Sequence, residues 1–301
     1  MADPSAVDPG IRQHFLDELR LAVPLPEDGE SDRLLAAFGA VPREAHVAAG
    51  PWRIVPRWGR TAFRTPDDDP RWLYHDALVA LDEERGINIG EPSLWARMFH
   101  RIAVPEASRI LQVGAGSGYF TAVLAQLAGP GGSVVGCEVE PHLAAIAERA
   151  LSDLPNARVE CRDAVASTPD GPFDLVISFA GATHLPASWI AALGPGGRIL
   201  LPVTGSGGWG AFMLLTRRSE GVFSARALGR CGFYPCIGAR DDDLAEDIDT
   251  FWRATGATDE WRGALVRANG DTPREALDWP DGWRLVGDAD AGAYLQSRSR
   301  A

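Results

Sequence analysis

Residues Ile110–Phe120 read ILQVGAGSGYF. Three apolar positions, Ile110, Leu111 and Val113, lead into three glycines, Gly114, Gly116 and Gly118, each two residues apart. A short apolar run that breaks into glycines and resumes at helical spacing predicts a buried strand, a tight loop at its carboxyl end, and a helix. The helix YFTAVLAQLAG stops at Gly129. Downstream, SVVGCEVE reads as a strand and PHLAAIAERALSDL as a helix with Pro141 at its start. ARVECRDA and FDLVISFAGA read as strands, PASWIAALGPGG as a helix with a glycine-rich stop, and RILLPVTG as a further strand. AFMLLTRRS and GVFSARALG read as a closing hairpin, and upstream LWARMFHRIAV reads as a helix. Strands alternating with helices at this spacing predict an α/β fold, a doubly wound, mostly parallel sheet covered on both faces.

The flanks differ in character. Between Gln13 and Val47, HFLDELRL and SDRLLAAFGAV read as helices, the second with Ser31 as N-cap and ending at VPRE (Val41–Glu44). Residues 51–72, PWRIVPRWGRTAFRTPDDDPRW, hold five arginines (Arg53, Arg57, Arg60, Arg64, Arg71), three tryptophans and four prolines, which predicts a long loop or an irregular hairpin. Five arginines in an acidic chain could dock an acidic peptide, although Asp67, Asp68 and Asp69 within the same loop could neutralise them. After Arg240, DDDLAEDIDTFWRAT reads as a helix, and Trp252, Trp261, Trp279 and Trp283 predict an ordered small subdomain rather than a floppy tail. The chain thus reads as three parts: residues 1–75 with N-terminal helices and the Arg/Trp-rich loop, a core at 76–240, and a small C-terminal extension at 241–301.

The 301 residues carry 29 basic and 41 acidic side chains, a net charge of −12, which speaks against a sequence-independent nucleic-acid binder. The first residues, MADPSAVDPGIRQHF, show no basic segment followed by an apolar run, so no signal peptide is expected, and no apolar run suits a spanning helix. Cys137, Cys161, Cys231 and Cys236 are scattered without a partner pair of Cys or His. Reduced thiols, a cytoplasmic setting and no metal site are expected.

In an open α/β sheet, ligands sit at the carboxyl ends of the strands. Gly114-Ala115-Gly116-Ser117-Gly118 lies at such an end, where glycines let the backbone approach a ligand closely. A dinucleotide fingerprint would place its third glycine at Tyr119; here it is Gly118, which favours a nucleoside without a pyrophosphate. Glu138, followed by Val139, ends the second strand, where a carboxylate can accept from both ribose hydroxyls. Asp163, followed by Ala164, ends the third, placed to meet an adenine amino group. Taken singly, Glu138 could be a solvated strand end and Asp163 a helix cap. In order, each at a strand's carboxyl end, the three predict adenosyl binding.

These residues resemble the S-adenosyl-L-methionine-dependent methyltransferases of Rossmann-like fold, with Gln112 standing where that family often has an acid. Over about Gln13 to Arg240 the chain is similar to the protein-L-isoaspartate O-methyltransferases. FLDELR and LLAAFGAVPREAHV resemble their amino-terminal helices, and Tyr74 and Asp76 their Tyr-x-Asp step. NIGEPSLWARMF resembles their Thr-Ile-Ser-x-Pro motif, FDLVISFAGATHLP their fourth strand with its turn, PGGRILLPVTG the fifth strand, and FYPCIGAR the closing segment. The resemblance implies transfer of a methyl group from S-adenosyl-L-methionine, leaving S-adenosyl-L-homocysteine, to an aspartyl or isoaspartyl carboxylate of a peptide or protein, with neither nucleic acid nor membrane as partner. It implies cofactor contacts from Gly114 to Gly118, Glu138, Val139, Asp163, Ala164 and Ala180, and acceptor contacts at Glu91, Pro92, Gly181, Ala182, Thr183, Tyr234 and Pro235.

The departures lie on the acceptor side. Gly90 stands where the family has its motif serine, and the alanine-rich turn becomes Ala180-Gly181-Ala182-Thr183-His184. Ser93 could replace the lost hydroxyl or cap the following helix, and His184 could orient an acceptor or serve the structure. With Gly90, these are the candidate catalytic positions. A kept cofactor site beside an altered acceptor site predicts a divergent enzyme with a dedicated peptide acceptor, whose ester can close to a succinimide (aspartimide). General isoaspartyl repair and a non-catalytic S-adenosyl-L-methionine-binding adaptor remain alternatives. A small-molecule methyltransferase is a third, against which the VPRE helices and the Tyr-Pro closing segment speak.

Overall fold

The computed structural model describes residues 7–56, 61–256, 261–267 and 276–288. In chain order these form α1 (Pro9–Ala22), α2 (Gly29–Ala40), β1 (Arg53–Pro56), β2 (Phe63–Arg64), β3 (Ala77–Asp82), β4 (Ile87–Asn88), α3 (Pro92–Ile102), β5 (Arg109–Val113), α4 (Tyr119–Ala128), β6 (Ser133–Glu138) and α5 (Pro141–Ala150). They continue with β7 (Ala157–Cys161), β8 (Phe173–Ser178), α6 (Ala187–Ala192), β9 (Leu193–Thr204), β10 (Trp209–Ser219), β11 (Val222–Gly232), α7 (Asp242–Thr255), β12 (Arg262–Arg267), β13 (Ala276–Trp279) and β14 (Trp283–Gly287). The class is α/β, as the alternating pattern predicts. By packing, the chain divides into two compact units: residues up to Ala107 with Ala115–Cys161, and Ser108–Gly114 with the residues from Arg162 onward.

In the first unit, β6 and β7 pair in parallel and β2-β1-β3-β4 form a small antiparallel sheet. The helices meet through aromatic residues because large side chains recur on one face of each. Phe38 of α2 packs on Phe99 of α3 at 6.3 Å and Phe120 of α4 at 6.3 Å between ring centroids. Arg33 clips α2 down, donating to the carbonyls of Leu127 at 2.7 Å and Val104 at 2.8 Å.

In the second unit β5, β8 and β9 are parallel, and the chain then reverses through β10, β11, β12, β14 and β13, all antiparallel. Leu175, Val176 and Ile177 of β8 are wholly buried, which is why this strand reads as continuous apolar sequence rather than alternating. No helix among the described residues is long and apolar enough to cross a membrane.

Two local readings of helix ends meet corrections. Ser31 is not the cap of α2: Asp28 is, its carboxylate accepting from the Ser31 amide at 2.8 Å, so the helix starts three residues earlier. The helix read through Gly197 stops at Ala192, because Leu193 already pairs with Phe173 and a register shift there absorbs the glycines. The Arg/Trp-rich stretch is a hairpin of β1 on β2; Arg57, Arg60 and Trp58 lie outside the described residues. Its described arginines are neutralised, Arg64 and Arg53 by Glu83 and Arg71 by Asp67 and Asp69. Beyond β11, the C-terminal strands pair onward in the order β12, β14, β13.

Candidate functional site

The glycine loop has the backbone its spacing demands. Gly114, Gly116 and Gly118 all adopt positive φ, at 78°, 56° and 83°, a region side chains other than glycine rarely enter. At Gly118 space as well as conformation excludes a side chain, since a Cβ would lie 2.9 Å from the Ala147 Cβ. A Cβ on Gly136 would lie 2.8 Å from that of Ala115, so the loop also rides directly on β6.

Glu138 at the end of β6 is buried, 6% exposed, and turned toward this loop. Its Oε2 accepts from the Gly116 amide at 2.6 Å and its Oε1 from the Glu140 amide at 3.0 Å. Burial raises its pKa, against the pull of those amides. An ionised carboxylate offers roughly four lone-pair positions, more than these amides occupy. What is left open can accept from a ribose hydroxyl, so the residue fits an adenosyl group. Val139 stays 36% exposed beside it. Arg85 pairs with Glu140, anchoring the β3–β4 turn close by in sequence to the acid.

His46, on the segment after α2, was not singled out by any sequence pattern. It is 1% exposed and its Nδ1 lies 2.9 Å from the carbonyl oxygen of Ser117. A carbonyl only accepts, so Nδ1 carries the proton. Desolvation lowers this histidine to about 4, leaving the imidazole neutral.

Gly90 adopts φ 92°, and a Cβ there would meet Phe120 Cε2 at 2.8 Å. Its amide donates to Asn88 Oδ1 at 2.9 Å. Glu91 is the N-cap of α3 and Pro92 its first residue. Ser93 does not occupy the cap position. It lies within the first turn, its Oγ donates to Glu91 Oε1 at 2.9 Å, and its amide donates to Asp76 Oδ1 at 2.8 Å. Asp76 of the Tyr-x-Asp step is therefore the carboxylate that satisfies the start of α3. Tyr74 of the same step donates to Glu44 of VPRE at 2.6 Å, and desolvation raises its pKa.

In the second unit, Asp163 does close the turn that follows β7: its Oδ1 accepts from Val165 at 2.8 Å and Ala166 at 3.3 Å. Its other oxygen faces Gly238, φ 80°, where a Cβ would lie 3.5 Å away. Ala164 is buried, and its carbonyl accepts from the Trp189 indole at 3.1 Å. Gly114 stands next to Phe179, and Ala180 is tied to Ser178, whose Oγ donates to the Ala180 carbonyl at 2.8 Å.

The turn after β8 is stitched into its surroundings by backbone bonds. Gly181 donates to the Tyr234 carbonyl at 2.7 Å, and Ala182 donates to that of Pro202 at 2.9 Å. Thr183 is wholly buried; its amide donates to the Ala239 carbonyl at 3.0 Å, and its Oγ1 accepts from the Asp241 amide at 3.1 Å. Thr183 therefore fastens the closing segment, and Tyr234 and Pro235 are left exposed. His184 is half-buried, with Nδ1 3.1 Å from Thr183 Oγ1, and desolvation lowers its pKa. Among the described residues no group of three or more His, Cys, Asp or Glu side chains could hold a metal ion.

Comparison with known proteins gives the family. The sequence profile described as protein-L-isoaspartate(D-aspartate) O-methyltransferase matches residues 59–241. Protein-L-isoaspartate O-methyltransferase 1 of Anaeromyxobacter sp. (strain Fw109-5) is 37% identical over 176 residues, 56% of this chain and 82% of the relative. A solved protein-L-isoaspartate O-methyltransferase superposes with a TM-score of 0.62 at 19% identity, covering 92% of this chain and 88% of the other. A Plasmodium falciparum structure of that description, in complex with S-adenosyl-L-homocysteine, gives 0.58 at 17% identity over 75% of this chain and 98% of its own. Those two likenesses are of fold, whereas the profile spans more than half of the sequence, and the chain belongs to the protein-L-isoaspartate O-methyltransferase family, whose cofactor is S-adenosyl-L-methionine.

Proposed function

We propose that this methyltransferase acts on an aspartyl or isoaspartyl carboxylate in a peptide or protein, and that its acceptor is a dedicated one rather than any damaged protein. The observation that carries this reading is Gly90. Where the family resemblance places a serine hydroxyl, this chain has a backbone at φ 92° pressed against Phe120. A side chain there would be both strained and obstructed.

In this reading the Gly114–Gly118 loop cradles the methionine part of the cofactor, Glu138 accepts from the ribose hydroxyls, and the free oxygen of Asp163 meets the adenine amino group. Val139, Ala164 and Ala180 are assigned to the cofactor by the family resemblance alone. When bound, S-adenosyl-L-methionine supplies a methyl group activated by a sulfonium, with S-adenosyl-L-homocysteine as the product. The residues have little proton chemistry to do, because an acceptor carboxylate has a pKa of about 4 and is ionised near neutrality. Their task is to align an oxygen with the methyl group and to exclude water. The Gly90–Glu91–Pro92–Ser93 step, the Gly181–His184 turn and the exposed Tyr234 and Pro235 are assigned to acceptor contact. Of the three catalytic candidates, His184, its Nδ1 beside the Thr183 hydroxyl, is assigned to orienting a carboxylate, while Gly90 and Ser93 contribute shape. An aspartyl ester can then close on the following backbone nitrogen to a succinimide without further help.

The test is methyl transfer, read by mass spectrometry, to paired peptides that differ only in aspartyl or isoaspartyl linkage. The expected result is little transfer to either generic peptide while S-adenosyl-L-homocysteine still binds. Efficient methylation of the isoaspartyl member of unrelated pairs would overturn the dedicated acceptor and leave general repair. Absence of transfer to any peptide of a whole-proteome digest would favour the adaptor.

A further inference from the structure

Where the amino end of β9 meets the β10–β11 turn and the ends of β12 and β14, the second unit contains a cavity of about 1000 Å³. This is the amino end of the parallel strands, whereas Ala180 and Gly181 follow the carboxyl end of β8. Phe173 of β8 pairs with Leu193 at that amino end, and the seven residues from Phe173 to Ala180, at about 3.3 Å each, separate the two ends by on the order of 20 Å.

The cavity has an aromatic floor with a cation at each end. Phe223 and Trp283 meet edge to face at 5.6 Å, Arg217 lies 5.5 Å over the Phe223 ring, and Arg267 lies 4.4 Å over the Trp283 ring. Arg218 is a third cation on the wall. Their hydrogen-bond partners are neutral: Arg217 donates to the carbonyls of Leu193 and Ile190, Arg218 to the Ser224 hydroxyl and Arg267 to the Asp281 carbonyl. Among the described residues none of the three forms an ion pair, although Glu220 shares the wall. The described arginines of the stretch at 51–72, by contrast, all meet carboxylates: Arg53 and Arg64 share Glu83, and Arg71 meets Asp67 and Asp69.

In a chain of net charge −12, three arginines without a carboxylate partner, two of them stacked over the buried rings of Phe223 and Trp283, form a site for anions. A guanidinium matches a carboxylate fork for fork, and the two carbonyls that hold Arg217 fix its plane in advance. Arg217 and Arg267 sit over two different rings, whose centroids are 5.6 Å apart. They suit successive charges on an extended chain, whose same-face side chains repeat at about 7 Å. We propose that this cavity docks an acidic segment of the peptide acceptor, distant from the carboxylate that receives the methyl group. The proposal rests on the peptide-acceptor reading above.

The experiment measures fluorescence anisotropy of labelled hexaglutamate with the full chain saturated in S-adenosyl-L-homocysteine. Saturable binding is expected at low salt, screened away at high salt, with hexaglutamine inert. The double variant Arg218→Glu/Arg267→Glu should weaken it about tenfold or more, and Arg218→Lys/Arg267→Lys should keep most of it. The control Arg53→Glu/Arg64→Glu should leave it unchanged. Absence of binding, binding indifferent to the Arg218→Glu/Arg267→Glu change, or equal displacement by inorganic pyrophosphate would overturn the proposal. Calorimetric S-adenosyl-L-homocysteine binding by each variant separates cavity effects from misfolding. Methyl transfer to peptides is scored independently, so the acceptor reading and the docking site can fail one without the other.

Discussion

His46 shows how one side chain can govern a loop far away in sequence. Its imidazole is buried and donates to the Ser117 carbonyl, and desolvation holds its pKa at about 4. In the unfolded chain the ring titrates near 6.5. As pH falls below that value, the unfolded state takes up a proton that the folded state refuses, so stability is lost between about 6.5 and about 4. The full effect is on the order of 3 kcal/mol. Melting temperature should therefore drop across this window in the wild type, and His46→Asn should flatten that limb. His46→Phe should flatten it too and weaken S-adenosyl-L-homocysteine binding by about tenfold in calorimetry, since the loop loses its donor at a cost of roughly 1 kcal/mol. Glu138→Gln forces an amide nitrogen to face the Gly116 or the Glu140 amide, both now donors to it. Cofactor-product affinity should fall about 10- to 100-fold, equivalent to roughly 1–3 kcal/mol. Unchanged affinity would remove Glu138 from the ribose role. Gly90→Ser should lower stability by about 1–3 kcal/mol and restore no activity on isoaspartyl peptides, because φ 92° and Phe120 oppose a side chain.

Elements here depend on partners that the local sequence does not announce. α3 begins at Pro92 with no side-chain cap of its own, and Asp76 supplies the carboxylate from 17 residues upstream. Asp76→Ala should cost about 1 kcal/mol and fray the Gly90–Ser93 step, visible as faster amide exchange at Ser93. At the other end of the chain, β12 covers β11 along Val222–Arg226. Truncation after Gly256 removes β12, β13 and β14 and exposes β11 as a long apolar edge. The truncated chain should aggregate in size-exclusion chromatography. A monodisperse, S-adenosyl-L-homocysteine-binding product would instead make the C-terminal strands a separable accessory.

For the molecule as a whole, family membership and cofactor chemistry combine into one thermodynamic expectation. A ligand at 100 times its dissociation constant stabilises the fold by about 2.7 kcal/mol, which for a chain of this size is a rise in melting temperature of roughly 5–10 °C. S-adenosyl-L-homocysteine should produce that rise in the wild type, and Glu138→Gln should abolish most of it at the same concentration. The excess of acidic residues has a further consequence at this scale. Within residues 51–72 the described arginines Arg53, Arg64 and Arg71 all meet carboxylates, which reduces the positive patch that composition suggests there.

The order of strands and helices, the glycine loop and the acid after it were legible in the sequence. Each is a local matter: periodicity records which face is buried, and positive φ selects glycine at Gly114, Gly116 and Gly118. Helix ends were less legible where a competing partner acted, as at Ser31, whose capping role passes to Asp28, and at Leu193, which pairing with Phe173 draws into a strand. What only the tertiary structure decided depends on encounters between distant segments. It brings His46 to Ser117 and Asp76 to Ser93, and it closes the space over Gly90 with Phe120. It also decides which arginines meet a carboxylate and which, like Arg217, Arg218 and Arg267, face a cavity instead. Charge and packing complementarity are properties of pairs in space, and no spacing rule along one chain encodes them.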